Sequence, residues 1–216
     1  MASGMLARHD GLRATTRLGF LNTSQEAVQT WEVLVLLGAG VGAALASMFV
    51  DLNVRIPGHS ILKVVIPIAA GFAIVPRRGA GSVMGLTALA TSLCLRQGGF
   101  AGDGMSLGSL TSLTATGPLL DWTLRRAQGG WMLYVGFALA GLASNVLALC
   151  VRGGAKLIGF EHAGGRPLAS WITQASYTYI LCGLGAGLIS GMLWFYSRRR
   201  NQPQAQPQAQ ERGATP

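Results

Sequence analysis

WEVLVLLGAGVGAALASMFV, residues 31–50, decides the fold class. Its one charge, Glu32, stands at the very start. Twenty helical residues reach about 30 Å, the thickness of a bilayer's hydrocarbon core. The stretch therefore reads as a membrane-crossing helix. Small residues recur in it at every fourth position: Gly38, Gly42 and Ala46 on one stripe, Ala39, Ala43 and Ser47 on the next. Such stripes let membrane helices approach closely, because packing there replaces the hydrophobic drive. They serve either packing inside one bundle or docking of a partner membrane subunit.

Working outward, five more apolar segments follow, at 61–75, 79–95, 105–120, 131–151 and 177–196. The second contains Lys63 near its end, where the stem can snorkel, and Pro67, which should kink it or sit where neighbouring helices satisfy the freed carbonyl. The fourth carries Ser106, Ser109, Thr111, Ser112, Thr114 and Thr116. That is too polar to face lipid all round, so it reads as a helix buried by its neighbours or a partly re-entrant segment. Trp131, Trp194 and Tyr196 stand at span ends, as interfacial aromatics do. Residues 1–30 form a polar N-terminal segment with no cleaved signal expected. The glutamine- and proline-rich tail, 197–216, has nothing apolar to bury and is expected to be disordered.

Composition agrees with a membrane protein. Half of the 216 residues are hydrophobic and only 12% are charged, against about 25% in soluble domains. The net charge is +9. Most of the basic residues lie in loops and tails beside apolar runs, which favours membrane orientation over nucleic-acid binding. With the N-terminus inside, eleven Lys and Arg fall on the inner side and six on the outer. Six spans put both termini in the cytoplasm. The expectation is an all-α, six-helix integral membrane bundle over 31–196. Cys94, Cys150 and Cys182 sit in apolar runs and read as buried structural thiols.

Polar side chains concentrate in Asp51-Leu52-Asn53-Val54-Arg55-Ile56-Pro57-Gly58-His59-Ser60. This loop faces outward in the proposed topology, and loops at bundle mouths commonly build sites. His59 can contact a ligand or a metal, or satisfy a loop carbonyl. Asn145, inside the fifth span, should point inward, as interhelical glue or as a ligand contact. Arg77 and Arg78, in a tight inner turn, read as topology anchors. Asp121 and Arg125 have the i, i+4 spacing of a surface pair. No nucleophile–histidine arrangement, metal spacing or Walker lysine appears, so neither catalysis nor a cofactor is expected of this chain.

The order of these pieces resembles a family. A small-residue first helix leads to an outer turn, Ile-Pro-Gly-His. An apolar helix then closes in Pro-Arg-Arg-Gly-Ala-Gly-Ser. A Gly/Ala-rich helix and a hydroxyl-rich segment ending Gly-Pro-Leu-Leu-Asp follow. Together they resemble the substrate-binding membrane subunits (S components) of energy-coupling factor transporters. The resemblance covers residues 31–196. It implies a six-helix protein of the bacterial cytoplasmic membrane that captures a vitamin, a precursor or another small molecule from outside. It also implies a transmembrane coupling subunit and two cytoplasmic ATPases as partners. The family's Ala-x-x-x-Ala contact with the coupling subunit matches Ala39 and Ala43. The expected ligand contacts are Asn53, Arg55, His59 and Lys63, with Asn145 as a floor residue. The substrate signatures of the biotin, riboflavin and thiamine binders are absent, as is the Met-His start of the cobalt and nickel members. Two other classes stay open: a membrane structural or assembly protein without a ligand, and a membrane-embedded transferase using Asp51, His59, Asp103, Glu161 or His162.

Overall fold

A computed structural model describes residues 6–18, 27–50, 58–100, 106–127, 130–159 and 168–196. Seven helices account for most of them: α1 (Asp10–Thr15), α2 (Thr30–Phe49), α3 (Ser60–Ile74), α4 (Ala80–Gln97), α5 (Leu107–Leu124), α6 (Trp131–Leu157) and α7 (Leu168–Trp194). Among the described residues there is no strand, only isolated bridges at Arg8–Arg77 and Thr16–Phe195. The fold is all-α. Length and apolarity qualify three helices to cross a membrane: α2, α6 and, from Trp171 on, α7. At 15 residues α3 is apolar but short.

The long helices form a ring in the order α2, α4, α5, α6, α7, with α3 closing it between α7 and α2. α3 also touches α4, α5 and α6, which makes it the innermost element. Its Ile61, Val65, Ile68, Ala69 and Ala73 are fully buried. The helix runs unbroken through Pro67, as α5 does through Pro118.

The hydroxyl-rich segment is a regular helix. Most of its oxygens return to their own backbone: Thr111 to Leu107 O, Ser112 to Gly108 O, Thr114 to Leu110 O and Thr116 to Ser112 O. A hydroxyl bonded to the carbonyl four residues back no longer needs water, so it can sit in an apolar setting. Thr116 and Ser144 also share a hydrogen bond of 2.7 Å between α5 and α6, with both side chains fully buried.

Glycine sets how closely the helices approach. A Cβ at Gly117 would collide with the Gly81 carbonyl oxygen, and one at Gly81 with that of Gly117. In α7, Gly183, Gly187 and Gly191 all face α6, where Gly183 and Gly187 rest on backbone. Cys94 and Cys150 correct the reading of buried thiols, since both are exposed on the outside of the bundle.

The N-terminal stretch packs across the end of the bundle that carries the α3–α4 turn. The His9 N–H donates to Pro76 O at 3.0 Å, and the Arg78 N–H to Ala7 O at 2.7 Å. His9 Nδ1 accepts from the Leu12 N–H at 3.3 Å, which leaves the proton on Nε2 to donate to Leu124 O. Thr16 donates to Ala73 O at 2.7 Å, and Arg17 lies 4.4 Å from the centre of the Tyr196 ring.

Arg77 is more than a topology anchor. It is buried and pairs with Glu32 at 2.9 Å. It also donates to the carbonyls of Leu6 and Ala27 at 3.1 and 2.9 Å. One side chain thus ties the α3–α4 turn, the start of α2 and the N-terminal stretch together. Burial of a charge pair is tolerated only when such extra hydrogen bonds accompany it.

Candidate ligand site at the start of α3

Gly58 delivers the chain into α3. Its φ is +87°, a conformation that side chains with a Cβ resist. Space for one is tight as well: a Cβ would lie 3.1 Å from both Asn145 Nδ2 and the Tyr179 Cα. These two constraints explain the glycine in Ile56-Pro57-Gly58-His59.

Asn145 is fully buried in α6. Its Nδ2 donates to Gly58 O at 3.3 Å and to Tyr179 O at 2.7 Å. One amide thereby joins α3, α6 and α7. The two carbonyl acceptors also fix the amide's orientation, because only the NH2 group can face them. The oxygen, Oδ1, has no hydrogen-bond partner among the described residues. A buried acceptor left empty costs about 1–3 kcal/mol, so it calls for an explanation.

This junction lies deep in the bundle. Asn145 is fourteen residues into α6, about 21 Å from its start. Residues 146–157 continue α6 beyond it for about another 18 Å. On that extension Arg152 donates to the Tyr179 hydroxyl at 3.4 Å, and Lys156 sits 4.1 Å from the centre of the Trp171 ring. The first turn of α3 thus begins beside Asn145, well inside the ends of α6 and α7.

Of the expected ligand contacts, His59, Lys63 and Asn145 are described and belong to this region. His59 is the half-buried N-cap residue of α3, and Lys63 is a half-buried residue four positions on. Asn53 and Arg55 lie outside the described residues, as do Asp51, Asp103, Glu161 and His162. Sequence reasoning missed Tyr179 and Arg152, whose part depends on α6–α7 contact. Among the described residues no three His, Cys, Asp or Glu side chains cluster to hold a metal.

The expected docking pair, Ala39 and Ala43, is unequally placed. Ala43 is completely buried within this chain, and Ala39 packs on the core against α3. Ala39 is only partly buried and keeps some outward surface. The neighbouring stripe is open: nothing among the described residues stands within 4 Å of a Cβ at Gly38 or Gly42.

Asp121 also departs from expectation. It makes no ion pair with Arg125 among the described residues. Its carboxylate instead accepts from the N–H groups of Gly79, Gly81 and Ser82 at the start of α4, and from the Ser82 hydroxyl. No family model, curated protein or solved structure matches this chain.

Proposed function

We propose that this chain is a substrate-capturing membrane subunit of an ECF-type importer, with the six helices α2 to α7, the short α3 included, spanning the bacterial cytoplasmic membrane and both termini in the cytoplasm. Its ligand, a small molecule of the vitamin or precursor class, enters from the outer side and meets the bundle at the start of α3. Capture is its whole task, and ATP hydrolysis belongs to two partner subunits. The observation that carries the reading is Asn145 Oδ1, buried beside Gly58 without a partner among the described residues. The contact between Pro76-Arg77-Arg78-Gly79-Ala80-Gly81-Ser82 and Gly117-Pro118-Leu119-Leu120-Asp121 supports it too, since the two stretches that carry the resemblance form one unit. The coupling subunit docks on the Gly38–Gly42 face of α2.

A membrane structural protein is the second reading. The backbone contact of Gly183 and Gly187 with α6 favours it, because close packing of this kind suits a rigid scaffold. Purification from the native membrane in mild detergent separates the two. A coupling subunit and paired ATPases that accompany the tagged chain support the importer. Recovery of the chain alone, in a preparation where a known importer stays assembled, overturns it.

A further inference from the structure

The amino end of a helix carries orphan N–H groups and the positive end of the helix dipole. Stable proteins answer this with a capping side chain or an acid in the first turn. α3 has neither among the described residues: no side chain there caps its first turn, and no acid stands in that turn. Lys63 is placed one turn in instead, half-buried and without an ion pair among the described residues. A cation there adds to the positive field of the helix end and lowers stability.

Asn145 supplies the second, independent observation. Its Nδ2 grips the Gly58 carbonyl, so its empty, fully buried Oδ1 lies at the same helix end. An acceptor without a donor and a helix end without an anion thus stand side by side. Local rules broken together in one place are expected at functional or strained sites. Both needs are met by one kind of molecule, whose anionic oxygens take the N–H groups of Ser60 and Ile61 and the Lys63 ammonium. A neighbouring O–H or N–H of the same molecule takes Oδ1.

We infer that the first turn of α3, Lys63 and Asn145 Oδ1 bind a small carboxylate that carries a hydroxyl or N–H donor beside its charge. The inference rests on the ligand-capture reading and narrows it to a chemical class. The matching geometry is that of helix termini that receive carboxylates and phosphates elsewhere, with a side-chain acceptor added for the donor.

The test uses the full chain in detergent and needs no partner subunit. Its failure is therefore distinct from failure to recover a coupling subunit and ATPases. The unfolding midpoint is measured with lactate, with propionate, which lacks the donor, and with chloride at equal ionic strength. Lactate should raise it by a few degrees and propionate by clearly less. Lys63→Met, which removes no hydrogen bond or ion pair among the described residues, should abolish the lactate shift and leave the ligand-free midpoint equal or higher. The proposal is overturned if lactate does no better than propionate or chloride, or if Lys63→Met responds in full. Stabilisation by phosphatidylglycerol in place of any soluble carboxylate would also overturn it, in favour of a lipid headgroup.

Discussion

Asp121 and Ser82 are joined twice, through one carboxylate oxygen that accepts from the Ser82 N–H at 2.7 Å and from its hydroxyl at 2.8 Å. The other oxygen takes the Gly79 and Gly81 N–H groups at 2.9 and 3.3 Å. Gly79, with φ +79°, brings no side chain to cap α4. The cap comes from α5 instead, and it fixes the register in which Gly81 meets Gly117.

Asp121→Ala should therefore cost more than an ordinary cap, on the order of 2 kcal/mol, because charge-assisted bonds and helix contact go together. Asp121→Asn should fall between, since its NH2 group would face N–H donors. The midpoint of unfolding on titration with a denaturing detergent reads both. An Asn variant weaker than the Ala variant would contradict this account.

The Glu32–Arg77 pair gives a sharper contrast. Arg77→Met leaves Glu32 buried without its partner and should cost about 3–5 kcal/mol. Replacing both by methionine should recover a large part of that loss, because no charge then remains buried. A double variant at least as unstable as the sum of the single ones would show that the pair is not coupled.

Glycines on the two kinds of helix face should respond oppositely to alanine. Gly117→Ala places a Cβ against the Gly81 backbone and should destabilise by a few kcal/mol, as overpacking does. Gly38→Ala meets nothing within 4 Å and should be neutral or gain up to about 1 kcal/mol in a helix interior. The same unfolding titration orders the two variants.

How much of this was legible in the sequence follows from the range of each interaction. Hydropathy found every long helix, and Trp131 as the start of α6 was read directly. The fourth segment is the buried helix that was one of its two readings; sequence does not decide between them, because a count of hydroxyls does not register their bonds to the carbonyl four residues back. α7 begins at Leu168 rather than 177 because its first turns mix Thr173, Gln174 and Ser176 with apolar residues. Spacing suggested Arg125 as the partner of Asp121, yet Ser82 is 39 residues away. Arg77 and Glu32 are 45 apart, and Asn145 and Gly58 are 87 apart. No local pattern encodes such pairs. The start of α3 was singled out from its polar residues, but the empty Oδ1 exists only once α6 and α7 meet it.

The two stripes of α2 make the last prediction. Ala43→Leu forces a large side chain into a fully buried position. It should destabilise the isolated chain and reduce its yield whatever the partner. Gly42→Leu, facing open space, should leave the folded chain intact. If a coupling subunit docks on that face, Gly42→Leu and Gly38→Leu should remove it from the purified complex while the chain keeps its own unfolding midpoint. A complex that survives both substitutions at full yield would move the docking surface off α2. Loss of the partner in Ala43→Leu alone would report only damage to the bundle, so the glycine face is the one that discriminates.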